Sequence, residues 1–272
     1  MKTPRIQLWL GWDKRRSSNG LNCAPSRAWA AQRAVTLLEM LVAVSLLVLI
    51  MGGLFLSYYH VQRAYGLATA QQDVLEGGRA TLNLVRRDLA LMSASMLPGV
   101  VNTYAEDVST NFGNVIQDVY WVQRNNDAYA GVGYIVQVRG AGVGTLWRFE
   151  TDGLQTNTIG FFARYLNPST NNLQRVAEGV VRLRLTPYDQ NNQLYNLTNI
   201  PQDMFVLPNG FASTNQALPS YLEMELGLLD QQTLRVFNAF TNVGPAQATQ
   251  FLSTHLGKIY TFRQRIPIQN RQ

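Results

Sequence analysis

The sequence predicts an α+β protein: a long N-terminal helix, membrane-spanning in its first half and amphipathic in its second, packed on a mainly antiparallel β-sheet. Three observations carry this expectation. Ala34 to Leu56 is an apolar run of 23 residues whose only ionisable side chain is Glu39. An apolar stripe with helical spacing follows it, and beyond Pro98 the pattern changes to the alternation of strands. The composition agrees: of 272 residues, 46% are hydrophobic and only 15% charged, too apolar for a disordered chain or a coiled coil. The length allows a sizeable core.

The first element is basic. Residues 1–34 hold Lys2, Arg5, Lys14, Arg15, Arg16, Arg27 and Arg33 against Asp13, which accounts for the whole net charge of +6. The other 238 residues carry 16 basic and 16 acidic side chains and sum to zero. A charge confined to one flank of an apolar run orients a membrane segment and does not make a nucleic-acid surface, so no nucleic acid is expected as partner. The positive-inside rule puts residues 1–34 in the cytoplasm and the bulk of the chain outside.

The second element is the run itself. As a helix from Val35 to Tyr58 it spans about 36 Å, enough for a hydrocarbon core of about 30 Å, so the lipid bilayer is its first expected partner. A secretory signal peptide fits poorly, because the run is too long and Leu54 to His60 lacks a small-residue cleavage site. A lipoprotein signal fails too, since no apolar segment precedes Cys23. Phe55, Tyr58, Tyr59 and Tyr65 read as an interfacial aromatic girdle. Glu39, about one turn into the run, is the anomaly: an acidic residue inside a membrane helix costs about 2.5–3.5 kcal/mol at mid-span and needs a partner. A cut between Ala34 and Val35 would supply one. The new α-ammonium of Val35 would lie about 6 Å from Glu39 along the axis, on the same chain or on a neighbouring copy.

The helix is expected to continue to about residue 96. Leu75, Gly78, Leu82, Val85, Leu89, Met92 and Met96 recur at alternating spacings of three and four, one stripe that a sheet or helix must cover. Arg79, Arg86, Arg87 and Asp88 are assigned to other faces, and Leu97-Pro98-Gly99 is the stop. The pairs Gly52-Gly53 and Gly77-Gly78 are open to two readings, a bend or close approach of neighbouring helices.

Strands are then expected at Val115 to Gln123, Tyr134 to Arg139, Thr145 to Glu150, Thr158 to Leu166, Val180 to Thr186, Tyr221 to Leu229 and Lys258 to Ile266. Short helices are expected at Gln231 to Phe240 and Ala246 to Leu256. A turn-rich insertion, 187–219, holds six Asn and four Pro. The organisation expected is therefore 1–34 basic leader, 35–58 membrane helix, 59–97 amphipathic continuation, and 98–272 extracytoplasmic domain.

No catalytic residue, cofactor or metal site is expected. One Cys and two His leave no nitrogen and sulfur set for zinc. Gly140 to Gly144 joins two strands without a Gly-Lys-Ser/Thr and reads as a hairpin turn. Glu223 and Glu225 share one strand face and are expected on the solvated side, paired across strands with Arg182 and Arg184. His60 and His255 have no nucleophile signature beside them, and Asn196-Leu197-Thr198 is a chance glycosylation triplet.

Arg33 to Ala43, read as Arg-Ala-Val-Thr-Leu-Leu-Glu-Met-Leu-Val-Ala, resembles the cleavage and methylation motif of type IV prepilins and type II secretion pseudopilins. Ala34 stands where the family usually has Gly, and Val35 where it usually has Phe. The resemblance implies a structural subunit with a pilin-like fold, cut between Ala34 and Val35 and N-methylated at Val35 by a prepilin peptidase/methyltransferase. It makes Thr36, Leu37, Leu38 and Glu39 the recognition motif and Glu39 one half of an assembly charge pair. Other pilins or pseudopilins and an inner-membrane assembly platform are the implied partners. The implied location is the bacterial inner membrane, with the C-terminal domain periplasmic and the chain incorporated into a pseudopilus or pilus.

The size of the domain, Leu84 to Leu89 (LVRRDL) and the strand after Leu218-Pro219 (YLEMEL) resemble the J-type minor pseudopilin, and the size also fits the W-type minor pilin. Such a protein would sit at a filament tip. The reading from another class is a single-pass sensor or adaptor that keeps its basic N-terminus and binds a ligand with the 187–219 insertion.

Overall fold

The computed structural model describes residues 36–95, 97–111, 114–126, 128–139, 142–151, 158, 160–195, 203–207, 209–215 and 217–269. Two units are distinguished, residues 1–57 and 58–272. Helix α1 runs from Leu37–Ala90, 54 residues. The strands are β1 (Val101–Asn111), β2 (Asn114–Asn125), β3 (Ala128–Arg139), β4 (Val143–Glu150), β5 (Leu173–Tyr188), β6 (Met204–Leu207), β7 (Gly210–Thr214), β8 (Tyr221–Leu229) and β9 (Ile259–Pro267). Helix α2 (Phe161–Leu166) lies between β4 and β5, while α3 (Gln231–Val243) and α4 (Pro245–Thr254) lie between β8 and β9. This is the expected α+β architecture, a long helix with a mostly antiparallel sheet.

In the first unit, α1 presents its apolar side chains on all sides. Every described residue of Thr36 to Ser57 is exposed, Leu37 by 83% and Leu49 by 71%. A helix apolar all round has no polar face to give to water. Its best 18-residue window has a mean hydropathy of 2.5, and it is the one helix among the described residues long and apolar enough to cross a membrane.

The second unit, Tyr58 to Gln272, has its strands in the order β6-β7-β1-β2-β3-β4-β5-β8-β9. Neighbours pair antiparallel, and β2 also meets β5 in parallel at Ile116 and Leu183. The sheet therefore forks at β2, which pairs with β3 only from Val119 onward. Side chains close the fork where no ladder can. The Val136 N–H donates to Asp118 Oδ1 at 2.8 Å and the Leu185 N–H to Gln117 Oε1 at 2.7 Å, while Gln117 Nε2 donates to Asp107. Orphaned backbone donors in a sheet are thereby paired.

Val74, Leu82, Val85 and Leu89 of α1 pack with Val119, Trp121, Val132, Tyr134, Leu222, Met224 and Leu226 as the main core. The expected stripe is buried at Gly78, Leu82, Val85, Leu89 and Met92, and departs only at its start, where Val74 is 6% exposed and Leu75 38%. Asp88, expected on an outer face, is 3% exposed. The turn of α1 above the sheet buries an ion pair together with its apolar side chains, and apolar spacing alone does not show that.

Three other expectations are corrected. The helix stops at Ala90 and not near residue 96, because Met92 bridges to Gln123 and the Ser93 N–H donates to the Val122 carbonyl. Strand pairing thus replaces the last helical turn. Met96 lies outside the described residues. The stretch from Thr158 to Leu166 is not a strand; Gly160, at φ 88°, turns the chain into α2, and its aromatics sit on the sheet as a cluster of Tyr120, Val122, Phe149, Phe161 and Tyr165. Alternation puts Tyr120 and Val122 opposite Val119 and Trp121. Third, β1, β6 and β7 were not anticipated. Polar residues on both faces of β1 and the turn-rich surroundings of β6 and β7 mask the period.

Strands β3 and β5 begin six and seven residues before the expected Tyr134 and Val180, at Ala128 and Leu173, while the other boundaries fall within three residues of expectation. Strand β8 coincides with Tyr221 to Leu229, and Arg139 pairs with Val143 across the glycine-rich turn, a hairpin as read. Asp230 caps α3, accepting from the Thr233 N–H at 2.9 Å, and Pro245 opens α4 where a missing N–H costs nothing.

A candidate assembly site at the start of the helix

The chain enters α1 through a reciprocal pair of hydrogen bonds. The Thr36 backbone N–H donates to Glu39 Oε2 at 3.3 Å, and the Glu39 N–H donates to Thr36 Oγ1 at 3.2 Å. The first helical bond, from the Met40 N–H to the Thr36 carbonyl, is 3.2 Å. This is a capping box, in which the N-cap hydroxyl and the N3 carboxylate each satisfy a donor that a helix start leaves open. Within a membrane such donors cannot turn to water, so the pairing gains in weight. A negative charge at N3 also meets the positive end of the helix dipole.

Glu39 is thus oriented by its own chain. Its carboxylate bends back toward the backbone N–H and hydroxyl of Thr36. Thr36, Leu37, Leu38 and Glu39 are brought together as one turn, with the two leucines exposed by 83% and 71%. Ala34 and Val35 lie outside the described residues, as do Cys23 and the basic residues of 1–34. The Thr-x-x-Glu spacing is a legible sign of the box in the sequence.

Residues 29–55 match the family model of the prokaryotic N-terminal methylation motif. The chain has a type IV prepilin-like N-terminus. The match spans the capping box and most of the apolar half of α1, and such a motif implies processing by a prepilin peptidase and assembly with other pilins. No curated protein matches the chain. The J-type subtype receives no support from these comparisons.

In the second unit, polar side chains have structural work. Asp88 Oδ2 accepts from Arg148 Nε at 2.6 Å and from the Tyr134 hydroxyl at 2.8 Å, and Arg148 also reaches Glu150. Burial works against the Arg148 charge, yet the hydrogen bonds to Asp88 and Glu150 outweigh it and raise its pKa. Burial, then the Asp88 charge, pushes the Tyr134 hydroxyl up, so it stays protonated as a donor.

Glu223 and Glu225 are not on a solvated face as expected. They are 7% and 5% exposed, because long arginines from both flanking strands lie over them. Arg182 pairs with Glu225 at 2.6 Å as anticipated, Arg265 pairs with Glu223 at 2.7 Å, and Arg263 reaches both. Arg184 is exposed and makes neither pair. The arginines of β9 were missed because its pairing partner was not assigned. His255 stacks on Phe251 with ring centres 4.0 Å apart, and its Nδ1 lies 2.9 Å from the Phe251 carbonyl. His60 is exposed on α1. Asn196, Leu197 and Thr198 lie outside the described residues.

Proposed function

We infer that this chain is a structural, non-enzymatic subunit of a type II secretion pseudopilus or type IV pilus-like filament, processed between Ala34 and Val35, methylated at Val35, and assembled through α1. The observation that carries this reading is Glu39, a carboxylate held by a capping box at the mouth of a helix otherwise apolar on all sides. Such a carboxylate needs a positive partner in lipid, and a neighbouring subunit's processed N-terminus supplies it. The prepilin peptidase, the assembly platform and other pilins or pseudopilins are the partners this requires.

We further assign residues 1–34 to the cytoplasm, 35–58 to the inner membrane and 98–272 to the periplasm, on the charge asymmetry of the flanks. A minor role at the filament tip, of the J-type or W-type, is favoured by the size of the domain. The test is Glu39→Ala. It predicts normal membrane insertion together with loss of cross-linking to other filament subunits, and unchanged cross-linking would remove the charge pair from the account.

A further inference from the structure

Strand β9 is an edge of the sheet, paired with β8 alone. Its register runs without a bulge from Ile259 opposite Leu229 to Pro267 opposite Tyr221, and just beyond it the Ile268 N–H donates to the Ser220 carbonyl at 2.9 Å. Hydrogen-bonded pairs alternate along an antiparallel ladder. Tyr260, Phe262, Gln264 and Ile266 therefore turn their backbone groups to β8, and Thr261, Arg263 and Arg265 turn theirs outward. Among the described residues no hydrogen bond reaches those outward N–H and C=O groups, and all three residues are exposed.

The second observation is charge. Alternation puts the side chains of Arg263 and Arg265 on one face with Glu223 and Glu225 of β8 and with Arg182 and Arg184 of β5. Four guanidiniums thus share two carboxylates, a net +2 on that face. The surplus lies at the edge. Arg263 and Arg265 remain 64% and 51% exposed after pairing with the glutamates, and Arg265 is held over the Tyr188 ring at 4.8 Å. Open backbone and unspent positive charge therefore meet at the same two residues.

The geometry points to β9 as a docking edge for an extended segment of a partner protein that carries carboxylates at alternate positions. Such a segment adds to the nine-stranded sheet as a tenth strand. Its backbone takes up the open groups of Thr261, Arg263 and Arg265, and its carboxylates fall opposite the two arginines, as Glu223 and Glu225 already do from the other side. The same charge rejects other occupants. A second β9, laid antiparallel and centred on Arg263, would set arginine against arginine, and a neutral strand would leave the surplus unanswered. The edge lies in the second unit, and neither Val35 nor Glu39 enters into it.

The test uses the full chain in detergent with two fluorescein-labelled peptides, Thr-Val-Glu-Val-Glu-Val-Thr with blocked ends and its counterpart with lysine in place of both glutamates. Fluorescence anisotropy should show saturable binding of the glutamate peptide and none of the lysine peptide. Arg263→Gln and Arg265→Gln should each weaken binding about threefold, whereas Arg175→Gln, in a separate exposed pair with Glu178, should leave it unchanged. Thr261→Pro removes one outward N–H and spares the ladder to β8, and it should weaken binding about fivefold or more. That variant keeps every arginine, so full binding by it would mean that charge alone holds the peptide and would overturn strand addition. Absence of saturable binding, equal binding of the lysine peptide, or unchanged binding by both edge-arginine variants would each overturn the proposal. So would an equal loss in Arg175→Gln, or self-association of the chain that the peptide disperses, which would give the edge to a second copy.

Discussion

Asp88 of α1 and Arg148 of β4 form an ion pair at 2.6 Å with side chains only 4% and 9% exposed. Together with the Tyr134 hydroxyl it fixes the last two turns of the helix to the centre of the sheet. Removing one partner leaves a buried charge without compensation, so Asp88→Ala should cost about 3–5 kcal/mol. Denaturant unfolding of the full chain, followed by tryptophan fluorescence, measures it. A loss below about 1 kcal/mol would show that the pair does not secure the helix.

Gly78 is buried because the Phe262 ring of β9 occupies the place a side chain would take. A Cβ there forces the ring aside, so Gly78→Ala should destabilise by about 1–3 kcal/mol. Neighbouring Gly77 faces open space, and Gly77→Ala should stabilise by up to about 1 kcal/mol through helix propensity. Opposite signs at adjacent positions are the outcome to look for in thermal unfolding. Relief of the Gly78 penalty in the background of Phe262→Leu would locate its source.

Glu225 titrates below the ordinary carboxylate value. Burial would raise it, but hydrogen bonds from Arg263 and Arg182 prevail. The stabilisation it contributes is complete above about pH 4.5 and is lost as the pH falls through the lower, folded-state value. Solvent reaches the arginines, so the amount is about 1 kcal/mol. Unfolding free energy measured from pH 6 to pH 3 should fall less steeply for Glu225→Gln than for the parent. Parallel curves would contradict this.

What could be read from the sequence divides along physical lines. The apolar run, the prepilin-like motif, β8 and the Arg182–Glu225 pair depend on local pattern, and local pattern is written in consecutive residues. Asp88 was misplaced because helical spacing ranks faces by apolar content, whereas its burial depends on Arg148, 60 residues away. The arginine cover over Glu223 and Glu225 was hidden for the same reason, since β9 meets β8 only after two helices intervene. Strand β1 is unreadable because tyrosine, carboxylates and threonine are spread over both its faces, and its place in the sheet is set by pairing with β2 and β7. At the helix start the reverse held: Thr36 and Glu39 stood in plain view at capping-box spacing, and only their joint hydrogen bonding was overlooked.

We propose above all that the chain works as a processed subunit whose mature N-terminus is Val35. Intact mass and N-terminal fragment spectra of the protein purified from its native membrane test it most directly. The account predicts a chain of residues 35–272 beginning with N-methylated Val35. A chain that retains residues 1–34, with no methyl group on Val35, would contradict it and leave the single-pass sensor as the better reading.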